Sequence, residues 1–458
     1  MEPWPARGSV RHHDPDRQVP VHAETPLPPL GGTALTLLLL QIAVLLGLAL
    51  LLGRLATRLG LPAIVGELTA GVIAGPSLFF WLAPGAAGWL FPQQPGQAHL
   101  LDAVGQFGVV LFVGITGMQL DMALVRRRAA TAAGVSLPGL LIPLGLGIGA
   151  GLLLPAALIT EGTDRTIFAL FLGVAMCVSA IPVIAKTLMD MNLLHRNIGQ
   201  LILMSGTIDD VLGWLGLSLV TAMATVGLTG AGVTRAVLSL LLFITFAALP
   251  GRLAVRFLLR RTLRSESAGV TVSAAVVIIL LFSAVTNLLG LEAIFGALVA
   301  GMLVASAGTE VLTRMASLRA VVTAVLAPIF FAVAGLRMNL AALADPQVLL
   351  AGVILLAIAI VGKFAGAFVG ARFSRLNRWE SLALGAGMNA RGVVEVVVAM
   401  VGVRLGILST AMYTVIVLIA IVTSLMGPPI LRAAMARVDV DADEVLRREK
   451  DERLNAVR

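Results

Sequence analysis

Apolar runs of about 20 residues recur along almost the whole chain, and that is the length a bilayer core asks of a helix. The runs are continuous and rich in Leu, Ala and Gly, without the alternation of a membrane strand. In hydrocarbon a segment must satisfy its own backbone hydrogen bonds, so continuous runs of this kind predict an all-α polytopic membrane protein. Composition agrees: 58% of residues are hydrophobic and 13% charged, against about 45–50% and about 25% in soluble domains. The net charge of +8 does not point to nucleic acid, because the arginines fall in short loops between apolar runs, where topology accounts for them. The single cysteine, Cys177, excludes an internal disulfide.

The runs predict about thirteen spans, near 34–56, 62–80, 101–119, 132–157, 166–188, 197–226, 233–258, 269–290, 292–307, 317–337, 347–372, 378–403 and 408–432. The count is open by one, since the two spans that meet at Gly290 can also be read as one bent element. Alternate loops hold the basic residues: Arg54 and Arg58, Arg126 to Arg128, Lys186 and Arg196, the cluster from Arg252 to Arg264, Arg314 and Arg319, then Arg372, Arg375 and Arg378. The positive-inside rule makes those loops cytoplasmic, which places the C-terminus inside and the N-terminus outside. Residues 1–30 are polar and proline-rich, without the apolar core of a signal peptide, and read as a disordered tail. The transmembrane domain is expected over 31–435, with a short, charged, solvated tail over 436–458. The glycine-dense stretch Gly145 to Gly151 lies within a span and reads as a site of close helix packing.

Against that background Asp209 and Asp210 stand out. They are adjacent in Met204-Ser-Gly-Thr-Ile-Asp-Asp-Val-Leu-Gly213, with apolar sequence on both sides. An aspartate at the centre of a spanning helix costs roughly 2.5–3.5 kcal/mol, and two side by side also repel. Asp209 follows Arg196 by thirteen residues, which is about 20 Å along a helix and near mid-bilayer. A chain keeps such a pair where a cation or proton is meant to visit. Lys363 is the second outlier, in Ala357-Ile-Ala-Ile-Val-Gly-Lys-Phe-Ala-Gly366. It can snorkel to an interface, but its depth favours pairing with one of the two aspartates.

Two segments are broken. Ser179-Ala-Ile-Pro182 puts a proline inside the fifth span, and Gly385-Ala-Gly-Met-Asn389-Ala-Arg391-Gly392 interrupts the twelfth. They lie seven spans apart, an odd offset, and so face opposite ways across the membrane. That is the layout of inverted repeats with two crossed discontinuous helices at a mid-membrane ion site. Arg391 could then offset the opposed half-helix dipoles. Ser179, Thr207 and Asn389 can offer oxygens to a hard cation, although such residues also bond helix backbones routinely. Glu395 is four residues after Arg391, the spacing of a structural pair on one helix face. Glu67 is either a gate or a capped interfacial acid, and Glu292, between two spans, is expected outside the bilayer.

These motifs together resemble the monovalent cation:proton antiporters of the second cation:proton antiporter family, the group of Kef-type proteins and plant cation/proton exchangers. The stretches that carry the resemblance are Val65 to Ser77, Ser179 to Lys186, Gly206 to Trp214, Ala327 to Gly335 and Gly387 to Val398, in family order across residues 34–432. The resemblance implies a thirteen-helix homodimer in which a scaffold holds a moving six-helix core. It implies that Asp210 binds the transported cation or protons in turn, and that Asp209 pairs with Lys363. Two adjacent aspartates resemble the electrogenic pattern. The sequence shows no nucleotide-binding segment of the kind typical Kef proteins carry, which argues against ligand-gated potassium efflux. The function expected is therefore Na⁺ or K⁺ exchange for H⁺ in the cell membrane, with no cofactor and with lipids as surroundings. A channel-like potassium efflux protein is the alternative. A membrane enzyme ranks third, because no embedded nucleophile with a nearby histidine and no metal-spaced histidine cluster supports one.

Overall fold

The computed structural model describes residues 31–92, 94–119, 129–180, 184, 187–189, 191, 193, 195–227, 229–441 and 444. The expected tail over 1–30 and the chain from 445 onwards lie outside them, as does Pro182. Among the described residues the chain is helical, apart from one isolated bridge between Ile159 and Leu408.

The spanning elements are α1 (Gly32–Arg58), α2 (Ala63–Ala74), α3 (Pro95–Gln119), α4 (Ala129–Leu153), α5 (Arg165–Cys177), α6 (Asn197–Val226) and α7 (Gly230–Thr262). They continue as α8 (Ala268–Leu288), α9 (Ala293–Ala305), α10 (Ala316–Leu336), α11 (Pro346–Phe373), the pair α12a (Arg378–Met388) and α12b (Val393–Arg404), and α13 (Thr410–Met435). Ten described helices are long and apolar enough to cross a membrane, α2 being counted with the turn Phe79–Leu82 that extends it. The bent pair α12a/α12b and the shorter apolar helices α5 and α9 complete the thirteen that the sequence predicts. The predicted fifth span, 166–188, matches α5 only as far as Cys177, and much of its second half falls outside the described residues.

Short polar side chains start the helices where the chain leaves a loop. Asp164 accepts hydrogen bonds from the Thr166 and Ile167 amides, and Asp345 accepts one from Gln347 just ahead of Pro346. Asn377 and Glu380 close a reciprocal capping box on α12a. Each satisfies amides that the first turn leaves without a partner.

The closest packing divides the helices into two groups. One, the scaffold, joins α1, α2, α3, α8, α9 and α10; the other, the core, joins α4, α5, α6, α11, α12 and α13; α7 connects them. The division follows the inverted repeat, with α4 packed on α11, and the break after α5 set against the break in α12. In the scaffold, α2 and α10 touch backbone to backbone. A Cβ on Gly71 would stand 2.7 Å from the Gly335 Cα and would collide with the Ala332 carbonyl. Small residues are what permit such an approach in a membrane, where no hydrophobic effect pulls helices together. Only 17% of the spanning window of α1 is buried, against 67% for α6, so α6 is an interior helix and its acids do not face lipid.

Glu292, between α8 and α9 as the sequence predicts, is 1% exposed and paired with Arg404. One expectation needs correction. The C-terminal tail is not wholly solvated, because Glu444 is buried, pairs with Arg196 at 2.8 Å and accepts the Asn197 amide at the start of α6.

Candidate functional site

The break in α12 begins where α12a ends at Met388 and resumes at Val393, with the two halves bent by 44°. Gly392 holds φ at +154°, a conformation open to glycine and strained for any side chain. On the opposing element, α5 stops at Cys177 and Val178 to Ala180 run extended or irregular. The two breaks meet: the Ala180 amide donates to the Ala390 carbonyl at 3.2 Å, and the Ser179 hydroxyl lies 3.0 Å from the Met388 carbonyl.

Arg391 secures this crossing from within. It is fully buried, and its guanidinium donates to the Ala175 carbonyl at 3.1 Å and the Met176 carbonyl at 2.5 Å. Those are carbonyls of the last turn of α5, the negative end of that half-helix, so the cation offsets both the lost hydrogen bonds and the dipole. Glu395 pairs with Arg391 at 3.1 Å across one turn of helix, and Ser424 of α13 donates to the Arg391 carbonyl.

The aspartates lie beside the crossing on α6, both fully buried. Lys363 of α11, also fully buried, donates to Asp209 Oδ2 at 2.8 Å. Ser179 lies 3.2 Å from the same oxygen, and Ser136 of α4 donates to Oδ1 at 2.5 Å. Asp209 thus gathers α4, the break after α5, and α11 around one carboxylate. Removing one partner of a buried pair like this costs about 3–5 kcal/mol, because the remaining charge is left uncompensated. Asp210 is the next residue and points to another face of α6. Thr207, three residues before it, shares that face and bonds the Leu203 carbonyl at 2.8 Å.

Sequence reasoning named Asp209, Asp210, Lys363, Ser179, Asn389, Arg391 and Glu395, and the fold brings these to one region. Asn389 is buried at the break, and its side-chain amide makes no hydrogen bond among the described residues. Glu67 stands apart. It lines a cavity of about 640 Å³ between scaffold and core, with Thr57, Thr187, Phe331 and Arg432. A second cavity between the two groups, about 590 Å³, opens at the other end and is lined by Gln41, Asp102, Val333, Thr410 and Tyr413. Neither cavity is lined by Asp209 or Asp210, so the acids are closed off at both ends. Ser136 was not anticipated. A lone serine in an apolar helix carries no signal of its own, and the one hint was positional: α4 is the repeat counterpart of the lysine helix.

Residues 43–437 match the family model described as sodium/hydrogen exchanger, transmembrane. The Na(+)/H(+) antiporter NhaS4 of Synechocystis sp. is 31% identical over 87% of this chain and 97% of its own length. Cation/H(+) antiporter 17 of Arabidopsis thaliana is 30% identical over 87% of this chain but 48% of its own length, so the chain spans about half of that relative. The solved structure of the sodium proton antiporter MjNhaP1 from Methanocaldococcus jannaschii shares the fold, with a TM-score of 0.64 at 17% identity, over 88% of this chain and 97% of that one. With the family match spanning nearly all of the helical region, the chain belongs to the transmembrane sodium/hydrogen exchanger family.

Proposed function

We propose that the chain is a secondary active antiporter that exchanges a monovalent cation, Na⁺ or K⁺, for H⁺ by alternating access, and that it is not an enzyme. The observation that carries the reading is the fully buried Lys363–Asp209 pair next to Asp210, at the crossing of two broken helices. A pore has no need of a buried base matched to its acid, which disfavours the channel-like alternative. The names of the relatives, cation/H(+) and Na(+)/H(+) antiporters, point the same way.

In this reading Asp210 holds either a proton or the cation, and competition for one carboxylate makes the two fluxes obligatory partners. Thr207 on the same face and the buried Asn389 at the break offer neutral oxygens to the cation. Asp209 is the counter-ion of Lys363 and joins the cation site when that pair opens. Opening frees Lys363 to release its proton. Arg391, Glu395 and Ser179 hold the crossing in shape. Glu67 draws cations into the cavity it lines. The core then moves against the scaffold to present the site to each side. The protein works as a homodimer among lipids in the cell membrane, with the arginine-bearing loops and the C-terminus in the cytoplasm.

The test is exchange in proteoliposomes holding a pH dye, with Na⁺ and K⁺ added in turn. Wild type should release protons when either cation is added, and Asp210→Asn should show none while still folding. Exchange at the wild-type rate in Asp210→Asn would sink the assignment. Cation uptake by wild type with no proton movement would favour the channel-like reading.

A further inference from the structure

Glu292 and Arg404 belong to neither the ion site nor its crossing. Glu292 precedes α9 in the scaffold and is 1% exposed, whereas Arg404 ends α12b in the core and is exposed. Their side chains meet at 2.5 Å, and Arg404 also reaches Gln106 of α3, in the scaffold, at 3.5 Å. We propose that Glu292 and Arg404 form an outer latch, residues remote from the ion site that the exchange cycle must part and rejoin at every turnover. The proposal rests on the reading that core and scaffold move against each other.

Three observations carry it. The pair joins the two groups, and the direct contact between its side chains is weakened by any relative shift of more than an ångström or so. It is not alone at that end. Tyr413 of α13 donates to the Ala334 carbonyl of α10 at 2.7 Å, and the Asn339 amide just beyond α10 donates to Thr414 of α13 at 3.0 Å. Both join core to scaffold beside the cavity lined by Val333 and Thr410. At the Glu67 end, by contrast, the ion pair Arg196–Glu444 is internal to the core. Polar ties thus join the two groups at the Tyr413 end.

The chemistry suits a latch rather than a fixed staple. Glu292 is withdrawn from water, so it favours having a cation beside it. Arg404 is 41% exposed, so water is at hand to receive its guanidinium when the pair parts. A pair exposed on both sides would bias nothing.

The experiment uses the full chain in detergent, where sidedness drops out. The parent carries Cys177→Ala, which removes the one native thiol, and Val333→Cys, which places a reporter in the wall of the cavity at the latch end. Maleimide labelling of that reporter is timed in the parent, in Glu292→Gln, in Arg404→Gln, and in the swap of Glu292→Arg with Arg404→Glu. The double variant Glu292→Gln with Arg404→Gln leaves no unpaired charge, and it carries the test where a single variant fails to fold. Labelling several-fold faster in the neutral variants, returning toward the parent rate in the swap, is the expected result. Rates within about twofold of the parent in every neutral variant would overturn the latch, as would a swap as fast as the neutral variants. Proton exchange is measured on the same proteins in liposomes. A parent with no exchange whose labelling still follows the latch would overturn the antiport reading and leave the latch standing.

Discussion

At the scale of single residues, the site is defined by what each charge faces. Lys363→Ala should remove the ammonium but leave the Asp209 carboxylate buried, with only Ser136 and Ser179 beside it. A loss of about 3–5 kcal/mol is expected, since the stranded charge has no water to turn to. The check is thermal unfolding in detergent. Lys363→Met combined with Asp209→Asn should recover most of that stability, because neither charge remains, without recovering wild-type exchange. Equal stability of Lys363→Ala and wild type would mean that the pair contributes nothing to the fold. Asp209, Asp210 and Lys363 were legible in the sequence because a charge in a run of apolar residues is its own signal. Ser136 was not, since hydroxyls in membrane helices bond backbone carbonyls routinely. Glu292 and Arg404 gave no sign of their pairing for a related reason: each stands at a span end, where a charge is ordinary, and only the tertiary fold sets one against the other.

At the scale of elements, spans were legible nearly to their ends because hydrocarbon forces the backbone into complete helices. The predicted span 197–226 coincides with α6, and 347–372 differs from α11 by one residue at each end. The break in α12 was legible as well, through Gly385, Gly387 and Gly392 around Asn389 and Arg391. What the sequence did not reveal is which partner each small residue meets. Gly71 sits in the resemblance-bearing stretch from Val65 to Ser77, yet its role is to let α2 lie against the backbone of α10 at Gly335. Gly71→Ala should force those helices apart, and overpacking of this kind costs about 1–3 kcal/mol or more. Because both helices belong to the scaffold, the expected outcome is a lower unfolding temperature, with the exchange rate per folded molecule close to wild type. A Gly71→Ala protein as stable as wild type would show that the scaffold yields at this contact. The mirrored Gly335→Ala should behave alike, since its Cβ would meet the Leu68 carbonyl from the other side.

At the scale of the whole molecule, two cavities enter from opposite ends between scaffold and core, and the acids lie closed between them. In the proposed cycle a movement of the core carries Asp209, Asp210 and Lys363 from one cavity to the other, so the net charge of that cluster decides how the membrane potential acts. With a cation bound and Lys363 neutral, the two carboxylates leave the cluster net negative. With Asp210 protonated and Lys363 charged, the cluster is neutral. The two crossings then differ by one elementary charge, and a potential of 100 mV acts on that charge with about 2.3 kcal/mol, roughly a 50-fold bias on the exchange equilibrium. Proteoliposomes with an imposed potassium diffusion potential should show Na⁺-driven proton movement that speeds or slows with the sign of the potential. In the double variant Lys363→Met with Asp209→Asn the cation-bound and protonated clusters differ by no charge, and whatever exchange remains should be indifferent to potential. Wild-type exchange that ignores the potential would give both crossings equal charge and take Lys363 out of the proton path, leaving the buried pair as a support of the core alone.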